Sequence, residues 1–175
     1  MNRIAKFEKV SFEQFKKDWT DEFGKMFTYT EEDLKDIYNE IKLPKRATKG
    51  SAGYDFYFPL PTMTLSCDSS IKVPTGIRCK MEDGWVLKAY PRSGHGFKTG
   101  VHLANTVGII DADYYNADNE GHINIKLVND SLISKHIELK QGDGFCQAIF
   151  VPFGITVDDD ADGVRVGGFG STSKK

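Results

Sequence analysis

Asn105-Thr-Val-Gly-Ile-Ile-Asp-Ala-Asp-Tyr-Tyr-Asn-Ala-Asp-Asn-Glu-Gly-His-Ile-Asn-Ile-Lys-Leu-Val-Asn129 is the most informative stretch of the chain. An apolar run at residues 107–110 leads into Asp111, and a polar, turn-rich segment follows at 115–121. Ile123, Ile125 and Leu127 then alternate with polar residues, the period of a half-buried strand. The pattern predicts a hairpin, with a carboxylate and two tyrosines where its first strand meets the loop. A carboxylate held by a strand at the edge of a cleft can be desolvated enough to act as a base. An Asp that merely starts a turn has the same local sequence. This stretch alone does not separate the two.

The 175 residues favour one domain with a full core. Hydrophobic content of 39% and charge of 27% describe a soluble globular chain rather than a disordered one. A net charge of −2 argues against non-specific binding to long nucleic acid, which needs a basic face, but leaves room for local clusters that hold a small polyanion. The three cysteines, Cys67, Cys79 and Cys146, have no CxxC spacing. They predict neither a disulfide framework nor a zinc site, and point to reduced thiols in the cytoplasm. No apolar run approaches a membrane span, and no signal-peptide pattern opens the chain.

Residues 1–42 differ in character from the remainder of the chain. Phe12, Phe15, Trp19 and Phe23 recur at spacings of three and four, one face of an amphipathic helix, and Ser11 with Gln14 fits a capping box. Thr30 with Asp33 marks a second helix start, and Leu34, Ile37, Tyr38 and Ile41 give it an apolar face. This helical extension is expected to pack on the main body or a neighbouring subunit; a partner-binding arm is the alternative. Pro44 breaks the helical pattern. Residues 43–157 read as a β domain. Short candidate strands at 54–58, 71–73, 76–80, 84–90, 101–105, 122–129, 136–139 and 145–157 are separated by Gly, Pro, Asn and Asp turns. Residues 158–163 form an acidic linker. Residues 164–175, rich in Gly and Ser, are expected to be a flexible C-terminal arm.

Five short segments carry candidate chemistry. Gly50-Ser-Ala-Gly-Tyr-Asp55 places a carboxylate where a glycine-rich turn enters a strand. Pro91-Arg-Ser-Gly94 offers a cation, a hydroxyl and backbone N–H groups that can cradle phosphate oxygens, with Lys98 close by. Gly108-Ile-Ile-Asp-Ala-Asp-Tyr114 holds Asp111. Gly142-Asp-Gly-Phe-Cys-Gln147 supplies a neutral amide. Arg165-Val-Gly-Gly-Phe-Gly-Ser-Thr172 bears one cation, one aromatic ring and two hydroxyls. In this order they resemble the five motifs of the trimeric dUTP pyrophosphatase (dUTPase) family, over residues 43–172.

The resemblance implies a mainly β, jelly-roll-like or barrel-like subunit, three of which share three active sites in a homotrimer. It implies hydrolysis of dUTP with Mg²⁺ to dUMP and pyrophosphate, which limits uracil in DNA and supplies dUMP. Asp111 matches the general base that activates water against the α-phosphorus. Tyr114 matches the ring that packs under the deoxyribose and excludes a 2′-hydroxyl. Asn105 and the backbone at Gly108 and Ile110 match the uracil-reading surface. Asp55 matches a carboxylate that reaches the metal through water. Arg92, Ser93, Gly94 and Gln147 match phosphate contacts. Phe169 matches the ring that closes over uracil, with Gly170, Ser171 and Thr172 beside the phosphates. Charge neutralisation and positioning supply most of the barrier reduction in such a phosphoryl transfer.

The chain departs from the family pattern twice. Arg165 lies four residues before Phe169 rather than five, and is still expected to be the γ-phosphate arginine. Residues 115–120 look like an insertion at the hairpin tip. His95, His102 and His122 have no metal-ligand spacing and are assigned no catalysis. Two rival readings are dCTP deaminase, whose Glu-Leu-x-Asn strand is replaced here by Lys126-Leu-Val-Asn129, and a nucleotide-sensing interaction protein. Lysine cannot shuttle the proton that the deaminase glutamate carries. The interaction protein leaves the five motifs unexplained.

Overall fold

The computed structural model describes residues 2–130, 136–165 and 167. The chain opens with β1 (Ala5–Lys9), then α1 (Phe12–Phe23) and α2 (Glu31–Glu40). The next strands are β2 (Lys45–Arg46), β3 (Tyr54–Tyr57), β4 (Thr62–Leu65), β5 (Ser69–Pro74), β6 (Ile77–Met81) and β7 (Trp85–Pro91). A short helix, α3 (Ser93–Thr99), precedes β8 (His102–Leu103) and β9 (Gly108–Ile110). A 3₁₀ turn (Ala112–Asn116) then leads to β10 (Asn124–Asn129), β11 (Ile137–Lys140) and β12 (Gly144–Pro152). The fold is mainly β, with jelly-roll-like sheets and no closed barrel. The largest sheet runs β2-β3-β12-β7-β9, and a second runs β5-β10-β8.

Both predicted helices form, and the caps explain where they begin. Thr30 and Asp33 make a complete capping box, each side chain bonding the other's backbone N–H. The first box is only half local. Ser11 Oγ accepts from Gln14 N–H at 3.1 Å, but the Ser11 backbone N–H donates to Glu120 Oε2 at 2.7 Å, not to Gln14. Ser11 Oγ also donates to Glu120 Oε1 at 2.6 Å. Glu120, in the segment 115–120, therefore completes the cap of the N-terminal helix. Glu120 has a positive φ of 57°, a conformation unfavourable for a side chain larger than glycine, and these two bonds hold it there. Nearby, Tyr115 Oη donates to Glu8 Oε2 at 2.7 Å, and the Arg78 guanidinium lies 4.3 Å from the Tyr115 ring centre. Hydrogen bonds first from Lys6 and then from Tyr115 hold the Glu8 carboxyl down at about 2.

The extension is part of the core. Phe15, Trp19 and Phe23 are fully buried and share one apolar cluster with Phe56, Val73, Ile77 and Leu127 of the β body. Trp19 packs between Phe15, Phe23 and Tyr29, with ring centres 5.2, 4.9 and 5.5 Å away. A strand not predicted from the sequence, β1, pairs antiparallel with β6 from Ala5↔Met81 to Lys9↔Ile77.

Residues 105–129 correct the hairpin expectation. β9 pairs with β7 in the five-stranded sheet, whereas β10 pairs with β5 and β8 in the other sheet. The chain crosses between sheets because each strand finds a longer apolar partner elsewhere: Ile125 and Leu127 face the core beside Val73, Ile71 and Leu103. The last strand ends at Pro152 rather than at residue 157.

Trp19→Ala is expected to destabilise the whole chain by ~3–5 kcal/mol, the cost of emptying a packed aromatic site. Urea unfolding followed by far-UV circular dichroism measures it. A separable arm would instead leave the main transition in place.

Candidate active site

Strand β7 organises the site because it is paired on both sides. β12 runs along its whole length, with Gln147 opposite Tyr90, and β3 places Asp55 opposite Gln147. At the C-terminal end of β7, the Arg92 Nε lies 3.2 Å from Asp55 Oδ1, and its Nη1 donates to the Gly144 carbonyl at 3.2 Å. Two glycines make room for this cluster. A Cβ on Gly144 would stand 2.5 Å from Arg92 Nη1, and one on Gly53 would stand 2.8 Å from Gln147 Oε1. Gln147 Nε2 donates to the Pro91 carbonyl at 3.3 Å, which turns its amide toward the same end of the strand.

Beyond Arg92 the chain does not make the hairpin turn that PRSG alone suggests. Ser93–Thr99 forms α3, closed by Gly100 in the left-handed conformation at φ 73°. Arg92, Ser93, Gly94, His95, Lys98 and Thr99 line a cavity of about 550 Å³, completed by Ile137 and Glu138 of β11. Three nitrogenous side chains, two hydroxyls and backbone N–H groups, against the single carboxylate of Glu138, suit an anion with several oxygens. Ile137 and Glu138 were not legible in the sequence, because β11 carries no motif and reaches the cavity only through the sheet; Thr99 was missed because the helix that presents it was not expected.

Asn105 lies beside this end of the sheet, with its amide Nδ2 3.7 Å from the position of a Cβ on Gly108. Gly108 pairs with Ala89 of β7. The Ile110 side chain is buried in the core opposite Leu87, so only its backbone is available to a ligand. Asp111 comes next, at the far end of β9. Continuing the Leu87↔Ile110 register sets Asp111 beside Val86, six residues along β7 from Arg92. At ~3.3 Å per residue that is about 20 Å. One chain thus brings Asp55, Arg92, Ser93, Gly94 and Gln147 together, and does not bring Asp111 to them.

Asp111 has its own neighbours. Arg165 Nη2 lies 2.5 Å from Asp111 Oδ2, and its Nε lies 2.8 Å from Asp113 Oδ1. The Arg165 guanidinium also sits 5.8 Å from the Tyr114 ring centre. Arg165 is thus on the candidate base rather than in the phosphate cavity. Asp113 is a partner that sequence reasoning missed, although the Asp-x-Asp spacing displays it. Tyr114 is 3% exposed, with its hydroxyl donating to the His122 carbonyl at 2.8 Å and accepting from Asn119 Nδ2 at 2.8 Å. Phe169, Gly170, Ser171 and Thr172 lie outside the described residues.

Among the described residues, no group of three or more His, Cys, Asp or Glu side chains could hold a metal ion. Asp55 is a single carboxylate already paired with Arg92. That donor set fits a hard cation held mainly by water and ligand oxygens, as Mg²⁺ commonly is. Cys79 and Cys146 are buried, which pushes each thiol up to about 12 and makes both poor nucleophiles.

A family model described as dUTPase matches residues 39–173. The deoxyuridine 5′-triphosphate nucleotidohydrolase of Lactococcus lactis subsp. lactis is 38% identical over 135 residues, covering 75% of this chain and 88% of that protein. The protein of the same name from Hahella chejuensis is 36% identical over 148 residues, covering 81% and 93%. Among solved structures, the dUTPase of Streptococcus mutans superposes with a TM-score of 0.61 at 32% identity, over 87% of this chain and 98% of that one. The dUTPase of phage phi11 of S. aureus shares the fold at 17% identity, with a TM-score of 0.61 over 92% and 97% of the two chains. A mutant of that phage protein shows coordination of a structural Mg(II) ion.

The cavity makes a measurable prediction. Burial first, and the neighbouring Arg92 cation second, lower the pKa of His95 below its ordinary value, with Asp143 opposing. An anion in the cavity favours the imidazolium and raises that pKa. Adding pyrophosphate is therefore expected to move the His95 ring titration, followed by NMR, to higher pH. A midpoint that stays put while pyrophosphate binds places the anion elsewhere.

Proposed function

This chain belongs to the dUTPase family, and from that membership we infer that it hydrolyses dUTP to dUMP and pyrophosphate. The observation that carries the mechanistic reading is the split site: an anion cavity at one end of β7 and the Asp111 carboxylate some 20 Å away at the other. In a homotrimer, Asp111 of one subunit faces the Arg92 cluster of the next, and the arm completes the site. Exposed Phe97, Phe153 and Ile155 supply apolar surface for such an assembly. The activity limits uracil in DNA and supplies dUMP. The buried thiols of Cys79 and Cys146 suit a reducing, cytoplasmic compartment. No helix among the described residues is long and apolar enough to cross a membrane.

Within the assembled site Asp111 takes a proton from water, and the water oxygen forms a bond to the α-phosphorus. The bond from that phosphorus to the oxygen bridging to the β-phosphate breaks, and pyrophosphate leaves. Arg92, Ser93, the Gly94 N–H and Gln147 orient the phosphates. Asp55 would hold Mg²⁺ through water, and the ion, when bound, would supply charge neutralisation on the phosphate oxygens. Asn105 and the backbone at Gly108 and Ile110 read uracil, while Tyr114 lies under the deoxyribose. Phe169 covers the base, and Gly170, Ser171 and Thr172 lie beside the phosphates. Arg165 leaves Asp111 for the γ-phosphate when substrate arrives, which frees the Oδ2 that the guanidinium holds.

Asp111→Asn keeps the shape and loses the proton acceptor. Turnover is expected to fall at least in the ~10²–10⁴ range of general-base help, with binding of a non-hydrolysable dUTP analogue retained by calorimetry. The wild-type chain should turn over dUTP and leave dCTP, whose 4-amino group reverses the donor–acceptor pattern. Comparable rates on both would sink the reading of the pocket.

Ordering the arm costs roughly 1–2 kcal/mol per residue, so it closes only against substrate. A chain ended at Gly163 is expected to sediment and melt like the full chain but to lose up to ~10³-fold in turnover. Arg165→Ala should reproduce much of that loss, and Lys174→Ala little. A silent Arg165→Ala beside a severe truncation assigns the arm's effect to Phe169 and the backbone.

A further inference from the structure

We propose that Asp18 and His122 are positioning residues that set the Tyr114 ring, and so govern the discrimination between dUTP and UTP. The inference rests on the reading that Tyr114 lies under the deoxyribose. Asp18 belongs to α1, upstream of the residues that the family model matches. His122 lies just past the insertion and is fully buried.

The His122 ring is held from both edges. Its Nε2 accepts from the Gly76 backbone N–H at 2.7 Å. A backbone N–H can only donate, so Nε2 carries no proton and Nδ1 carries it. Nδ1–H donates to Asp18 Oδ2. Burial pushes the Asp18 carboxyl up, but the opposing contacts, the hydrogen bond from His122 foremost, outweigh it and hold the carboxyl below its ordinary value. Residue 122 therefore has one rotamer and one tautomer, fixed by α1 on one side and by the turn before β6 on the other.

The backbone of the same residue supports Tyr114. The His122 carbonyl accepts from Tyr114 Oη at 2.8 Å, Asn124 Nδ2 at 3.2 Å and Asn119 Nδ2 at 3.3 Å. Asn119 Nδ2 also donates to Tyr114 Oη at 2.8 Å. The phenol end of the ring is thus anchored on an atom whose own place depends on Asp18. Exclusion of a 2′-hydroxyl is a matter of space, and a ring displaced by a fraction of an ångström admits it. Small misplacements of positioning groups can cost ~10²-fold in rate.

The measurement is the ratio of kcat/KM for dUTP to that for UTP. Tyr114→Ala tests the underlying reading. The ratio must fall, and an unchanged ratio removes both that reading and this inference. Asp18→Ala is then expected to lower the ratio roughly tenfold, the scale of one lost hydrogen bond to a charged group, mainly through a lower KM for UTP. Asp18→Asn keeps an oxygen that accepts from Nδ1–H, and is expected to restore most of the ratio. Leu34→Ala, a core truncation on α2, is expected to lower the melting temperature and leave the ratio as in the wild type. Should Asp18→Ala fail to fold, Tyr114→Phe, which removes only the anchored hydroxyl, carries the test with the same expected loss. The inference is overturned if Tyr114→Ala lowers the ratio while Asp18→Ala or Tyr114→Phe leaves it unchanged. It is equally overturned if Leu34→Ala lowers it as much as Asp18→Ala.

Discussion

Strand β7 bears two ladders at once, β12 along its full length and β9 beside its middle, from Leu87 to Ala89. Nearly everything functional is placed by that double pairing. The β12 register sets Gln147, and through β3 sets Asp55, at the end where Arg92 emerges. The β9 register runs the other way and carries Asp111 toward the opposite end. Antiparallel pairing cannot deliver both groups to one spot in a single chain without shifting a register. A shift by one residue would turn Leu87 and Ile110 out of the core. The separation of Asp111 from the Arg92 cavity is therefore built into the hydrophobic pattern, and the proposed sharing of a site between subunits is a geometry that would resolve it.

The charges at the two ends differ accordingly. Around Arg92 the guanidinium and Lys98 face a cavity that Glu138 also lines, and Asp55 ties the guanidinium in place. Around Asp111 two carboxylates face one arginine. Since Arg165 is 16% exposed while Asp111 and Asp113 are about half exposed, the pair keeps a solvated side open to exchange. Such partly exposed ion pairs are worth little on their own, so an anion can compete for the arginine.

Much of this was legible in the residues. Ser11 and Thr30 announced both helices, because N-cap oxygens satisfy donors that a helix end leaves unpaired. The Asp55, Arg92, Ser93 and Gln147 cluster was visible as motifs. What escaped was set by distant partners. β1 reads Ala-Lys-Phe-Glu-Lys, with one large apolar residue, and becomes a strand only because β6 offers its edge. α3 contains two glycines, which disfavour a helix by ~1 kcal/mol each, and local propensity gave no sign of it. The pairing of β9 and β10 with different sheets is decided by tertiary contacts that alternation within the stretch does not encode. Glu138 entered the cavity for the same reason.

The bond between Glu120 and Ser11 ties two segments that look independent in sequence. Residues 115–120 occupy the loop after β9, and Ser11 opens a helix more than a hundred positions earlier. Remove the helix, and Glu120 keeps an unfavourable backbone conformation with no donor to hold it. Remove the loop, and the helix keeps only the Ser11–Gln14 half of its cap, while Tyr115 no longer meets Glu8 and Arg78. Neither segment can be gained or discarded alone without leaving the other strained. For recombination between relatives, or for anyone grafting one segment onto a shorter scaffold, the heritable module is the pair.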